Sequence, residues 1–317
     1  MALNPAAPKD GLAEKDKSGE LLDTEVFWKK HQRWLEQRGY KLRPRYHEEW
    51  ISSRHGTDKN CPDALSLTTM PIVDAIRVSD GTYVSLKRVR KSYHPYEAEI
   101  IQFFSTEPLA SDPQNHCVPT YEILQSTIDD DHIIIVMPWL RAVDDPRFYT
   151  VGEGVECVRQ ICEGVQFMHR HRVAHRDIMN LNIMMDPKPI LSEMSNPVIE
   201  ERSYDLRRSV KIYTRTKHPV RYYLVDFGLS RKYSEDEMPP LEEPIRGGVK
   251  TVPEFQDSVN PCNPFPTDIY YLGFFIRETF VQKGPCFKFL QSFVDDMVQK
   301  DPAKRPTIDE VVTRTRT

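Results

Sequence analysis

A chain of 317 residues, 39% apolar and 28% charged, has the composition of an ordinary globular protein and is long enough for one large or two medium domains. A formal net charge of -4 gives no global attraction to nucleic acid or to a membrane surface, so partners have to be sought in local patches. Six cysteines without a C-x-x-C pair argue against structural zinc or a disulfide framework, and the longest apolar run, Ile133 to Leu140, is too short to span a bilayer. The opening stretch also lacks an apolar leader segment, and the expectation is a reduced intracellular protein, cytoplasmic or nuclear, with no membrane partner.

Residues 1–20, rich in Ala, Pro, Lys, Asp and Gly without periodicity, are expected to form a disordered tail. Residues 21–60 read as an N-terminal helical extension and wrap. Thr24 can cap a helix whose apolar side is Phe27, Trp28, His31, Trp34 and Leu35, stopped by Gly39; that stripe is expected to dock on the main domain. The wrap carries Arg43, Arg45 and Arg54 among aromatics, and nucleic-acid binding there is disfavoured. Over 61–138 short strand patterns dominate: Ile72 to Val78, a turn at Asp80-Gly81, then Thr82 to Val89. A helical piece at Tyr96 to Phe104 and strands at Thr120 to Gln125 and His132 to Met137 complete a small sheet lobe with one helix. Over 139–317 the pattern turns helical, with Val155, Val158, Ile161, Val165 and Met168 on one face of a long helix. Ile183 to Met185 and Tyr222 to Val225 read as strands around a polar insertion at about 187–219. Ile269 to Phe280 reads as a buried helix, and Thr307 with Glu310 is a capping box that opens the last one.

Within Val173 to Asp186, His175-Arg176-Asp177 followed by Asn182 has the H-R-D-x-x-x-x-N spacing of a phosphoryl-transfer catalytic loop, with Asp as base and Asn as metal ligand. A short string of this kind also arises by chance on a surface turn, so its partners decide. Asp226-Phe227-Gly228 follows the strand at Tyr222 to Val225, where a second metal-binding aspartate is wanted. Lys87, in V-S-L-K, lies on a predicted strand of the earlier lobe, where its ammonium could reach phosphates or stand solvated; it precedes the helix bearing Glu97 and Glu99.

Across residues 64 to 315 this order of lobes and motifs resembles a eukaryotic protein kinase domain. The resemblance implies an α+β, bilobal protein-kinase-like fold, with a small antiparallel β-sheet lobe and one helix beside a larger, mainly helical lobe. It implies ATP and Mg2+ as cofactors, and roles residue by residue. Lys87 is the strand lysine, Glu97 its ion-pair partner with Glu99 as the fallback, and Asp177 the catalytic base, with Arg176 in the catalytic set. Asn182 and Asp226 are the magnesium ligands, and Met137, Trp139 and Leu140 belong to the linker that presents backbone groups to adenine, Met137 limiting the pocket. Val252-Pro253-Glu254 resembles the A-P-E end of an activation segment, and Arg305 in D-P-A-K-R-P-T its ion-pair partner. Asp268 in T-D-I-Y-Y-L-G resembles the buried aspartate that holds the catalytic-loop backbone. Small-molecule kinases of related fold usually lack these last features, so a protein substrate is implied. His94-Pro95-Tyr96-Glu97 together with Phe27-Trp28 is similar to kinase-like proteins of mushroom-forming, basidiomycete fungi.

Three departures qualify the reading. No glycine occurs between Cys61 and Asp80, where a glycine-rich phosphate lid is expected, and Met70-Pro71 cannot supply the same run of N–H donors. Met179 stands where a serine/threonine kinase has a lysine, and losing one such charge stabiliser costs about a hundred- to a thousand-fold in rate. Asp177 and Asp226 lie 49 positions apart (226 minus 177), which defines the insertion. Its Arg207, Arg208, Lys211, Arg215, Lys217 and Arg221 are either a solvated face or a docking patch for an acidic partner or a phosphorylated activation segment bearing Ser230, Tyr233 or Ser234. The expected function is a serine/threonine protein kinase of weak or atypical activity. The alternative is a pseudokinase interaction module using Trp28 and Trp34 or the basic insertion.

Overall fold

The computed structural model describes residues 21–51, 65, 71–245, 249, 251–256 and 260–316. These fall into two units: the first takes residues up to Arg90, Tyr121–Trp139 and Leu191–Tyr213, the second Lys91–Thr120, Leu140–Ile190 and the chain from Thr214.

The first unit opens with helix α1 (Val26–Gln37) and is built on an antiparallel sheet of β1 (Tyr40–Lys41), β2 (Ile72–Arg77), β3 (Tyr83–Arg90), β4 (Glu122–Gln125) and β5 (His132–Pro138), in the order β1-β2-β3-β5-β4. β2 and β3 are joined at Asp80-Gly81: Gly81 adopts φ +69°, and Asp80 accepts from the Thr82 N–H and the Arg77 guanidinium. Alternation sends Val73, Ala75, Val84 and Leu86 into one core with Leu124, Ile134 and Val136, and α1 adds Trp28 and Leu35 to it. Phe27 and Trp34 pack partly buried against the same cluster. The apolar stripe therefore docks as expected, and Trp28, 4% exposed, is closed to any partner. α1 starts from Glu25 without a side-chain cap, in place of Thr24, and the Glu25 carboxylate receives Arg45 and the Tyr46 hydroxyl, both at 2.9 Å.

One expectation for residues 40–60, the extended wrap, changes at its start. Tyr40 pairs with Arg77 and Lys41 with Ile76, so the sheet gains a strand beside β2; a two-residue strand is too short for its alternation to show in sequence. Of the glycine-free interval from Cys61 to Asp80, residues 61–64 and 66–70 lie outside the described residues, as does Arg54. Arg43 and Arg45 are 3% and 0% exposed, and Arg43 Nε lies 2.9 Å from the equally buried Asp74, so neither can serve nucleic acid.

The insertion also departs from its expected place in the helical lobe: Leu191–Tyr213 belongs to the first unit. It is ordered by polar side chains turned on their own backbone. Asn196 Oδ1 accepts the Val198 and Ile199 N–H groups while its amide donates to Tyr204 O, and Ser195, Asn196 and Ser203 are buried. Bridges at Leu191–Ile212, Ser195–Ser203 and Arg202–Ser209 close it, and the Tyr204 ring lies 5.0 Å from that of Tyr83. The basic cluster is dispersed. Arg207 and Arg208 face Asp205 at 3.7 Å and Glu193 at 2.8 Å. Arg215 is buried in the second unit on the carbonyls of Val143 and Pro146, and Arg221 donates to those of Pro113 and Asn115.

The second unit contains α2 (Glu97–Phe104), β6 (Arg141–Ala142), α3 (Val151–Arg170), β7 (Val173–Ala174), β8 (Ile183–Met185), β9 (Tyr222–Leu224), β10 (Arg231–Lys232), α4 (Pro264–Ile276), α5 (Gln291–Met297) and α6 (Ile308–Thr315). Thus α2, placed by sequence order with the sheet, falls in the second unit. Thr150 caps α3 by accepting Glu153 N–H at 3.2 Å, and Cys157, Val158, Ile161, Val165 and Met168 form its buried face. α6, with the expected capping box of Thr307 and Glu310, packs on α3. α4 is buried almost all round, and α5 approaches so closely that a Cβ on Gly273 would lie 2.7 Å from that of Met297. Small ladders β6-β8-β9 and β7-β10 hold the loops between them. Among the described residues no helix is long and apolar enough to cross a membrane.

Candidate active site

β7 delivers the chain to His175, and the short turn Asn180–Asn182 passes it to β8. Between them the backbone is held from beneath by α4. Asp268, fully buried, accepts the His175 N–H at 2.8 Å, the Arg176 N–H at 2.7 Å and His169 Nε2 at 3.0 Å. Buried carboxylate oxygens are costly unless hydrogen-bonded, and here three donors converge on them. The His175 ring accepts the Asp177 N–H on Nδ1 at 3.3 Å, which leaves Nε2 to donate to Val225 O at 3.1 Å. His175 thereby joins the loop to the strand end that precedes Asp226.

Asn182 closes the loop on Asp177: its amide nitrogen donates to the Asp177 carbonyl and to Oδ2, both at 2.9 Å. Its Oδ1 is left as a neutral oxygen donor. Asp177 Oδ1 has no hydrogen-bond partner among the described residues. Asp226 sits at φ +65° and accepts the Gly228 N–H on Oδ1 at 3.2 Å, and the buried Phe227 packs on His175 and on Phe104 of α2 at 5.6 and 6.3 Å. Burial pushes the Asp177 carboxyl above its ordinary range; the nearby Asp226 and Asp268 charges push the same way, against His175 and the Asn182 hydrogen bond.

These residues fit a hard divalent cation. Two mutually repelling carboxylates with an orphaned buried oxygen form a site short of positive charge, and carboxylate and carboxamide oxygens suit Mg2+. Among the described residues no cluster of three or more His, Cys, Asp or Glu could hold a metal alone. A Mg2+ ion here would complete its shell with phosphate oxygens and water.

The other expected residues divide between the units. Lys87, buried on β3 opposite Ile72 and Ile135, belongs to the first with Met137 and Trp139; Glu97, buried at the start of α2, and Leu140 belong to the second. Arg176 spends its guanidinium on the following segment, on Leu229 O at 3.1 Å, Glu243 O at 3.2 Å and Glu242 at 3.4 Å. Ser230 donates to His175 O and Tyr233 to Glu242, both from buried positions, so of the three hydroxyl residues beyond D-F-G only Ser234 is exposed. Arg305 meets Glu254 with two hydrogen bonds of 2.7 and 2.6 Å, as expected for the segment's end. Burial raises the Glu254 carboxyl, but Arg305 outweighs it and the net shift is downward. Met179 is half-buried at the head of the Asn180–Asn182 turn. Two contacts had no sequence signal of their own: Glu242 beneath Arg176, and His94 Nδ1, which lies 3.0 Å from Gly228 O.

A five-stranded antiparallel sheet in this order, a helical unit, and a loop that sets one carboxylate against a carboxamide and a D-F-G aspartate define an α+β fold of the phosphoryl-transfer class. The protein kinase domain family matches residues 71–288, and the chain belongs to that family. It is 30% identical over 122 residues to myosin light chain kinase 2, skeletal/cardiac muscle, of Rattus norvegicus, covering 36% of this chain and 15% of that protein. It is 28% identical over 79 residues to the dual specificity protein kinase zak2 of Dictyostelium discoideum, covering 24% of this chain and 12% of that one. The chain therefore matches only a small part of the length of these relatives.

Proposed function

We propose that the chain is a protein kinase that transfers the γ-phosphate of ATP to serine or threonine hydroxyls of protein substrates. The observation that carries this is Asp177: one carboxylate oxygen and the carbonyl are fixed by Asn182, the other oxygen is unengaged among the described residues, and the backbone beneath is anchored on Asp268. Asp177 Oδ1 accepts the hydrogen bond of the acceptor hydroxyl, orients its oxygen toward the phosphorus, and takes the proton as the new bond forms. Asn182 Oδ1 and the Asp226 carboxylate would hold the cation, and Lys87 of the first unit is the residue that the family resemblance assigns to the phosphates. Bound Mg2+ supplies positive charge to the phosphate oxygens. Met137, Trp139 and Leu140 receive the adenine. Kinship with kinase-like proteins of basidiomycete fungi is part of the proposal and rests on residues 94–97 and on Phe27-Trp28.

Met179 favours a second reading, a pseudokinase that binds partners without transfer, because the lysine that would neutralise the migrating phosphate is missing. Labelled-phosphate transfer to a generic protein substrate, alongside thermal-shift titration with ATP with and without Mg2+, separates the two. The kinase reading expects transfer that Asp177→Asn lowers by at least about a hundredfold while nucleotide binding persists. Equal transfer by the variant removes Asp177 from its role, and wild-type binding without transfer favours the pseudokinase.

A further inference from the structure

The D-F-G turn is held from a direction that its own motif does not explain. His94 precedes α2 by three residues, and its Nδ1 lies 3.0 Å from Gly228 O; the carbonyl can only accept, so Nδ1 donates. The ring occupies the space a side chain on residue 228 would need, since a Cβ there would lie 2.7 Å from His94 Nδ1 and 3.1 Å from Asp226 Oδ1. Beyond Gly228 the same segment remains clamped to the surroundings of α2: the Arg231 guanidinium stands 4.3 Å from the Tyr96 ring centre and the Lys232 ammonium 3.7 Å from that of Phe103. Asp226 sits in the left-handed region, which a non-glycine residue keeps only when its surroundings over-determine it. The Gly228 N–H on Asp226 Oδ1 fixes one side of this turn and His94 on the Gly228 carbonyl fixes the other.

We propose that His94 is a positioning residue for Asp226. By taking the carbonyl of Gly228 it holds the turn in the one shape that presents the Asp226 carboxylate to a divalent cation, and so sets the affinity of that aspartate for metal. The inference rests on the kinase reading for its purpose, and on geometry alone for the restraint itself. Groups that orient a metal ligand from behind typically change metal affinity about ten- to a hundred-fold when removed.

Three variants test it. His94→Ala removes ring and donor, His94→Phe keeps a ring without the donor, and His94→Asn returns an N–H close to the position of Nδ1. Amide hydrogen exchange over residues 226–230 of the metal-free protein is expected to quicken about tenfold in Ala and Phe and to stay near wild type in Asn. Mn2+ affinity, read by electron paramagnetic resonance with a non-hydrolysable ATP analogue, is expected to fall about tenfold in Ala and Phe and to recover in Asn. Unchanged exchange and Mn2+ affinity in Phe, or equal losses in Phe and Asn, overturn the proposal; that pair suffices should the Ala variant fail to fold. A wild-type chain that binds no Mn2+ with the analogue removes the kinase reading, while the exchange comparison still decides whether His94 holds the turn.

Discussion

On the proposed kinase reading, Asp177 is where function and stability oppose each other. Its carboxyl is held above the ordinary value of 3.8 by burial and by the charges of Asp226 and Asp268, so ionising it costs the folded state something it does not cost the unfolded one. The penalty is absent below the ordinary value, grows as pH rises toward the raised one, and is fully present above it. Asp177→Asn should therefore raise the melting temperature of the metal-free protein near pH 7 while removing transfer, and the gain should vanish by about pH 3. A melting temperature that falls at neutral pH would contradict the assigned strain. Met179 permits the converse experiment. If the missing lysine limits the rate, Met179→Lys should raise turnover about a hundredfold with little change in KM for ATP, measured by steady-state phosphate transfer. An unchanged rate would locate the limiting step elsewhere.

At the scale of elements, two devices hold the working parts in place, and each makes its own demand on stability. Glu254 and Arg305 form a buried two-pronged ion pair, and Arg305→Ala leaves the carboxylate uncompensated at a cost of about 3–5 kcal/mol, measurable by urea unfolding. Because the Glu254 pKa is lowered from 4.5 on folding, its contribution is present above that value and is lost as pH falls through the folded one. The stability gap between wild type and Glu254→Gln should accordingly narrow on acidification below about pH 4.5. Helix α1 is the second device. Trp28 lies inside the core of the sheet, so Trp28→Ala should cost about 3–5 kcal/mol, against under about 2 kcal/mol for the half-buried Trp34. Equal small costs would mean that the stripe is a face for partners rather than part of the fold.

For the molecule as a whole, the division into units does not follow chain order. The insertion at 191–213 returns to the sheet unit, and α2 joins the helical one. Tyr204 packs against Tyr83, and Asp74, which draws on the same tyrosine, neutralises the buried Arg43. Asp74→Asn should cost about 3–5 kcal/mol by stranding Arg43. Tyr204→Ala should cost more than the roughly 0.5 kcal/mol of an ordinary surface change, read by chemical denaturation. A neutral Tyr204→Ala would return the insertion to the status of a free loop.

What the sequence determined by itself was whatever depends on near neighbours along the chain. The period-two runs of β2 and β3, the 3.6-residue stripes of α1 and α3, the capping box of α6, and the spacing from Asp177 to Asn182 all act within a few residues, where side-chain geometry is set by the local backbone. The docking of Trp28 was legible too, since three aromatics on one helix face have to be covered. The pairing of Tyr40 with Arg77, the burial of Arg43 on Asp74, the return of 191–213 to the sheet unit, and His94 on Gly228 were not legible. A two-residue strand carries no period, and a polar insertion that satisfies its own backbone leaves no apolar pattern. An arginine looks the same in sequence whether solvated or buried on a carboxylate. Only the tertiary structure settles such contacts, because each is made between groups whose separation along the chain exceeds anything that local conformation can specify.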